Sequence, residues 1–321
     1  MRWLPKAIAC SKSQAAISGG RVKIGIITPQ GWTGEFDGWD PQKAWSRTRD
    51  VCRQAEALGF ESVWVFDHFH TVPRPTEEIT FESFTTLAAL AASTMRVRLG
   101  HVVVCTRFRN PALTAKMMST MDVLSDGRME LGIGAGWKRD EWLAYGYGYP
   151  ETSERLAILA DHLEIITRML GPGRATYAGN HASVEDAINV PKPIQAPLPI
   201  MVGGNGPKVT WRLAARFANE LNVDGMPPQD VRAALPVIRA RCEEIERDPA
   251  TLAVSAHVWW EVWPADRSER MDLLNQFREL GLSRIITLVR AAAENDDALA
   301  EFAEDCRAAG AELEPSTALG A

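Results

Sequence analysis

Short runs of apolar and β-branched residues alternate with longer stretches of helical spacing between about residues 22 and 309. This alternation is typical of parallel strands that are joined by crossover helices. The pattern predicts strands at 22–28, 62–66, 97–104, 128–134, 200–202, 220–223, 252–262 and 284–289. It predicts the helices that follow them at 41–58, 81–93, 111–124, 153–170, 207–217, 228–247, 267–280 and 296–309.

Eight strand–helix units in one chain predict an α/β fold of the (β/α)₈ TIM-barrel type. Several strands are apolar on both faces, as expected for strands buried between a barrel core and a ring of helices. The barrel is expected to span residues 21–313 as a single domain, with a polar insertion at 171–199 between strands four and five. Residues 1–20 are expected to form a flexible tail. An open, doubly wound sheet is the alternative architecture.

Composition narrows the function classes. The net charge of −6 disfavours nucleic acid as a partner, because duplex-binding proteins usually present a basic face. The five cysteines are far apart and form no C-x-x-C pair, so neither a disulfide framework nor a metal site is expected. No apolar run is long enough to span a membrane. These features predict a protein of the reducing cytoplasm, with neither nucleic acid nor a membrane as a partner.

Barrel enzymes build their active sites from the loops that follow the strands. The loop after strand one contains Trp32 and Trp39 among several glycines, which suits either a wall for a planar substrate or a loop folded onto the rim. Strand two is followed by Asp67, His68 and Phe69. A carboxylate beside an imidazole can hold a heterocycle and supply a proton, or it can cap a loop. His68 is the candidate catalytic residue.

Two glycine-rich segments also follow strands. Strand four runs into a G-x-G-x-G segment with Ala135 and Gly136, which suits either a flat ring lying on bare backbone or tight packing. Strand five runs into Gly203, Gly204 and Asn205 ahead of a helix. Glycine turns that lead into helices can bind phosphate through backbone N–H groups, although they also serve as simple turns.

Basic residues recur on the same predicted rim, where they suit either an anionic ligand or a solvated, internally paired face. They are Arg107, Arg109, Lys138, Arg139, Lys208 and Arg212. A glycoside hydrolase built on Asp67 and Glu141 is a rival interpretation, but it leaves the glycine-rich anion site without a role.

Six stretches together carry a family resemblance: PQGWTG at 29–34, AEALGFESVWVFDH at 55–68, NPALTAKM at 110–117, DVLSDGR at 122–128, LGIGAGW at 131–137 and VGGNG at 202–206. The chain resembles the luciferase-like monooxygenase superfamily, and within it the branch of oxidoreductases that depend on coenzyme F420. The resemblance covers about 22–223; beyond that, only the pattern matches.

The resemblance implies a deazaflavin lying across the strand ends, with His68 near its reacting carbon. It implies that the ring is contacted by Asp67, Val103, Cys105, Thr106, Ala135 and Gly136. The phosphate would be held by Gly203, Gly204 and Asn205, and the polyglutamate tail by the basic rim. A non-proline cis peptide is expected at Val102-Val103 or its neighbour.

One position departs from the family pattern. A branch that oxidises sugar phosphates has Glu directly after the G-x-G of strand four, whereas this chain has Trp137. A pocket with Trp32, Trp39, Phe69 and Trp137 favours an unsaturated or aromatic substrate instead. The predicted reaction is hydride transfer between F420 and a C=C or C=N bond, in either direction. The alternative is a two-component monooxygenase using reduced FMN; a homodimer and an F420 or flavin reductase are the expected protein partners.

Overall fold

The computed structural model describes residues 21–314. Its strands are β1 Lys23–Ile27, β2 Ser62–Val65, β3 Arg98–His101, β4 Val104–Cys105, β5 Met129–Gly134, β6 Ala175–Ala178, β7 Ser183–Ala187, β8 Ile200–Gly203, β9 Glu220–Asp224, β10 Ala253–Val258 and β11 Arg284–Leu288. Its α-helices are α1 Pro41–Leu58, α2 Ser83–Ala91, α3 Pro111–Leu124, α4 Arg139–Ala144, α5 Thr152–Leu170, α6 Thr210–Phe217, α7 Pro228–Glu243, α8 Arg267–Arg278 and α9 Ala298–Ala308.

Nine of these strands form one parallel sheet in the order β3-β2-β1-β11-β10-β9-β8-β5-β4, and an additional β3–β5 pairing closes it. β3 and β4 are two parts of the third barrel strand, interrupted at Val102-Val103, whose peptide bond is cis. The closed eight-stranded barrel confirms the predicted fold class. Between α5 and β8 the chain forms the antiparallel hairpin β6–β7. The predicted tail at 1–20 lies outside the described residues.

Local signals explain why several helices begin where the sequence predicts. The Asp40 side chain accepts from the N–H groups of Gln42 and Lys43 at the start of α1. Asn110 does the same for Ala112 and Leu113 at the start of α3. Both helices have proline in their first turn, where the missing N–H costs nothing. Only the short helix α4 was not predicted.

Inside the barrel, the indole of Trp64 fills the space between neighbouring strands. A Cβ atom on Gly25 would lie 2.6 Å from the Trp64 side chain, and one on Gly100 would lie 2.4 Å from it. Glycine at these two positions is therefore what makes room for the indole. None of the helices within residues 21–314 is long and apolar enough to cross a membrane.

Candidate active site

A cavity opens at the carboxyl ends of the barrel strands, the end at which enzymes of this architecture have their active sites. It collects side chains from segments that are far apart in the chain. Of the residues singled out from the sequence as catalytic, cofactor-binding or substrate-binding, those that line it are Trp32, Asp67, His68, Val103, Cys105, Ala135, Gly136, Trp137, Gly203 and Gly204. Lys138 of the basic rim and Glu141 line it as well. The two glycine-rich segments thus face the same space.

His68 is held on two sides. Its Nδ1 lies 2.7 Å from Oε2 of Glu141, a side chain with no solvent exposure. The Trp32 ring stacks on the imidazole, with centroids 4.1 Å apart and planes within 3° of parallel. Glu141 Oε1 accepts from the N–H of Phe69 at 2.9 Å, so one carboxylate fixes both the ring and the loop that carries it. Because Nδ1 donates to this carboxylate, a proton exchanged with a reactant passes through Nε2.

Asp67 is buried and its carboxylate is already satisfied within the protein. Oδ2 accepts from the Cys105 N–H at 2.9 Å and from Arg109 at 2.8 Å, and Oδ1 accepts from the Ser83 hydroxyl at 2.7 Å. The side chain therefore joins the end of β2 to the end of β4. Its expected contact with the polar edge of a cofactor would share an oxygen that already has a partner.

The cavity floor is bare backbone around Val103. A Cβ atom on Gly134 or on Gly203 would lie 2.8 Å from the Val103 side chain. Gly136 has φ +76°, and a Cβ there would lie 2.5 Å from Cys105 Sγ. Larger residues at these positions would clash with the floor, so glycine keeps a flat surface open beside Val103.

The glycine-rich turn after β8 leads to α6, whose first residue is preceded by Val209. No side chain caps this helix, so N–H groups of its first turn have no side-chain acceptor. Gly204 takes φ +128° in the turn and lines the cavity beside Thr210. An uncapped helix start next to glycine backbone suits a phosphate.

The structure places four of the predicted residues away from the cavity lining. Trp39 packs on Phe36, 5.3 Å between centroids, because the loop after β1 turns through Gly34 and Gly38 at positive φ before reaching α1. Trp39 therefore does not line the cavity. Phe69 packs in an aromatic cluster with Phe108, Tyr145 and Tyr147 and does not line it either. Their contact with a substrate stays a prediction.

The other two displaced residues hold loops together. The Thr106 hydroxyl donates to the Gly134 carbonyl. The Asn205 amide donates to the Asp224 carbonyl at 2.7 Å and accepts from the Asp224 N–H at 2.9 Å. Neither residue lines the cavity, and their expected contact with the cofactor stays a prediction.

Half of the predicted basic rim is engaged in ion pairs. Arg109 binds Asp67 and Glu82, Lys138 binds Asp140, and Arg212 binds Glu244. Within residues 21–314, Arg107, Arg139 and Lys208 form no ion pair. Of the six basic residues expected to hold the polyglutamate tail of the cofactor, these three remain without an acidic partner in the described residues.

Sequence reasoning missed the far wall of the cavity. Asn222, Asp224, His257 and Trp259 line it from the ends of β9 and β10. The strand predicted at 252–262 continued past the true end of β10 at Val258, and this hid His257 inside a strand. The available signal was its position: polar residues at a strand end of a barrel face the site.

Comparison with known proteins places this geometry in a family. The luciferase-like monooxygenase profile matches residues 32–318. The F420-dependent glucose-6-phosphate dehydrogenase of Kineococcus radiotolerans is 37% identical over 170 residues, which is 53% of this chain and 50% of the relative. The enzyme of the same name from Intrasporangium calvum is 34% identical over 191 residues, 59% of this chain and 54% of the relative. The chain thus spans about half the length of these curated relatives.

Solved structures share the architecture at low identity. An F420-dependent secondary alcohol dehydrogenase in complex with an F420–acetone adduct superposes with a TM-score of 0.76 at 18% identity, covering 90% of this chain and 99% of that one. The coenzyme F420-dependent tetrahydromethanopterin reductase of Methanopyrus kandleri gives 0.67 at 18% identity, covering 86% and 97%. These likenesses concern the fold. With a profile that matches most of its length, the chain belongs to the luciferase-like monooxygenase family.

Proposed function

We propose that the protein is an oxidoreductase that uses coenzyme F420 and transfers a hydride to or from a small unsaturated organic substrate. The observation that carries the proposal is the bare floor around Val103, which shares one cavity with the glycine turn before α6. The names of the curated relatives, F420-dependent glucose-6-phosphate dehydrogenases, support the choice of cofactor.

The residues present fit such a group. Val103, Cys105, Ala135 and Gly136 would lie against its ring, and the turn at 203–204 with the start of α6 would hold its phosphate. When bound, the deazaflavin supplies two-electron hydride chemistry. The protein's part is to orient the substrate against the ring and to exclude water, which Trp32 and Trp137 do from the cavity wall.

His68 is the group we propose for proton transfer. Glu141 holds Nδ1, so Nε2 can give a proton to the substrate atom or take one from it. A buried carboxylate also stabilises the imidazolium that forms when Nε2 takes a proton. This pairing supplies the acid–base function that the family pattern assigns elsewhere in its sugar-phosphate branch.

The resemblance also supports a homodimer, a cytoplasmic location and a supply of reduced cofactor by an F420 or flavin reductase. These are proposals about the protein's surroundings. Sedimentation velocity of the purified chain tests the first of them.

The decisive experiment is a titration of the purified protein with F420 and, separately, with FMN, followed by absorption and fluorescence. We expect F420 to bind. Gly203→Ala should weaken F420 binding about tenfold, ~1.4 kcal/mol, because the added Cβ would meet Val103. Gly171→Ala is the matched control, since its Cβ would meet nothing closer than 3.4 Å and lies outside the cavity.

The opposite result identifies the alternative. Binding of FMN with oxygen consumption in the presence of a flavin reductase, and no binding of F420, would replace the proposal with the two-component monooxygenase. Melting curves of both glycine variants separate lost binding from lost folding.

A further inference from the structure

The cavity wall formed by the ends of β9 and β10 carries a second carboxylate–imidazole pair. Asp224 Oδ1 lies 2.8 Å from His257 Nδ1. The His257 side chain is only 4% exposed, and its Nε2 has no hydrogen-bond partner within residues 21–314. The Asp224 side chain is 48% exposed, so its second oxygen remains accessible from the cavity that both residues line.

This pair is held in place from several sides. The His257 ring packs against Phe66 and Trp259, with centroids 5.7 Å and 4.7 Å away. The Asp224 backbone exchanges two hydrogen bonds with the Asn205 side chain. A carboxylate fixed this firmly is preorganised to accept a hydrogen bond from a bound molecule.

The charges of the lining leave Asp224 without a competing cation. Asp67 is neutralised by Arg109, and the Glu141 carboxylate is occupied by its hydrogen bond with Nδ1 of His68. Lys138 is the one lysine or arginine that lines the cavity in the described part of the chain, and its ammonium is bound to Asp140. A phosphate dianion facing this wall would meet a carboxylate and no unpaired cation.

We propose that the Asp224–His257 pair selects the substrate: an uncharged or cationic molecule with an apolar body that donates a hydroxyl or amino hydrogen to Asp224. The inference rests on the proposed function only in calling this molecule the substrate. This substrate class differs from that of the relatives named for glucose 6-phosphate, because the phosphate of such a sugar would face the Asp224 carboxylate. Trp32, Trp137 and Trp259 supply the apolar surface.

The test measures binding without turnover. Benzylamine, benzyl alcohol, benzyl phosphate and glucose 6-phosphate are titrated into the wild-type protein in a buffer of inorganic phosphate, which occupies the proposed phosphate site at 203–204. Affinity is read by calorimetry and tryptophan fluorescence. The amine and the alcohol should bind at least about tenfold more tightly than either phosphate. Raising the salt concentration should narrow the preference for the amine, because an accessible charge pair is screened.

Variants assign the preference to the pair. Asp224→Asn should weaken benzylamine binding about tenfold and leave benzyl alcohol less affected, because the amide keeps an acceptor oxygen but loses the charge. Asp272→Asn is the matched control: this aspartate is exposed on α8 and lies outside the cavity. Should Asp224→Asn fail to fold, the ranking of probes on the wild-type protein still decides.

Tighter binding of either phosphate overturns the inference, as does failure of both the amine and the alcohol to bind, or equal effects of the two aspartate variants. F420 is titrated in the same preparations. If F420 binds while the probe ranking fails, the substrate class is wrong and the proposed function stands. If F420 does not bind but the ranking holds, the proposed function is wrong and the wall still binds such molecules.

Discussion

The two ends of the barrel use the same residue types in opposite ways. At the amino ends of the strands, Arg284 is almost fully buried and binds Glu61, Glu130 and Glu220, with Trp64 lying 5.1 Å from its guanidinium. At the carboxyl ends, Glu141 pairs with His68, whose Nε2 is left for another molecule, and His257 pairs with Asp224, whose carboxylate is half-exposed. Charges at the first end bind one another, whereas those at the second are partly available.

At the amino ends of the strands, the buried charges stabilise one another. Burial acts to raise the pKa of Glu130, but Arg284 and Arg98 hold it below its ordinary value. Burial raises the pKa of Glu220, which shares the same guanidinium. Removing one residue of this network would leave another charge buried without a partner. The network at the amino ends therefore stabilises the fold. The carboxyl ends of the strands contribute less to stability, and all of the proposed chemistry takes place there.

Removing Arg284 from the network at the amino ends of the strands should have the largest effect on the protein. Arg284→Met leaves Glu130 and Glu220 close together in a buried space, so the free energy of unfolding should fall by about 4 kcal/mol. Denaturant unfolding at neutral pH measures it.

The matched control for Arg284→Met is Arg212→Met, which removes a pair whose side chains are 51% and 39% exposed. That variant should unfold at nearly the same denaturant concentration as the wild type, because an exposed ion pair adds little to stability. Equal losses in the two variants would show that the network at the amino ends has no special role.

A substitution of His68, at the carboxyl ends of the strands, should lower activity with little loss of stability. His68→Asn keeps an amide donor in the place of Nδ1 for Glu141 but removes Nε2, so turnover should fall about 100-fold. Initial rates with any substrate that oxidises or reduces F420 in the wild type measure this. Nitrogen-15 NMR of the wild-type histidines supplies an independent check, because it should show His68 with its hydrogen on Nδ1. Activity within threefold of the wild type would remove His68 from the mechanism.

The smallest expected effect is that of a thiol reagent on Cys105. This residue lines the cavity floor, but it is buried. Burial raises the pKa of its thiol above the ordinary value, so the thiolate fraction near pH 8 is very small. Iodoacetamide should therefore leave Cys105 unmodified in the folded protein and label it in guanidinium, as read by mass spectrometry. Rapid labelling of the folded protein would mean that the floor opens far more than the structure shows.

The elements of this fold were predictable where their signals are local. Asp40 with Pro41 and Asn110 with Pro111 mark helix starts within a few residues of sequence. The end of β10 was misplaced because the apolar residues continue past Val258 into a short 3₁₀ turn at Trp260–Val262. Hydrophobicity alone does not distinguish a strand from an apolar turn.

The site was predictable only in part, because its residues meet through tertiary structure. Trp32 and Trp39 belong to one loop and look alike in sequence, yet backbone turns send one to the cavity and the other to the α1 side. Asp224 and His257 are brought together by the pairing of β9 with β10. The position of each residue at a strand end was visible in the sequence, but the pairing that brings the two together has no local signature.

The indole of Trp64 has a consequence for how this barrel can change over time. It occupies a slot that exists because the strands on either side of β2 carry no side chain at Gly25 and Gly100. The three positions therefore form a linked set: enlarging either glycine requires shrinking the tryptophan in the same step. Libraries that diversify the barrel interior one position at a time should yield no soluble variants at these glycines, whereas libraries that vary all three together should.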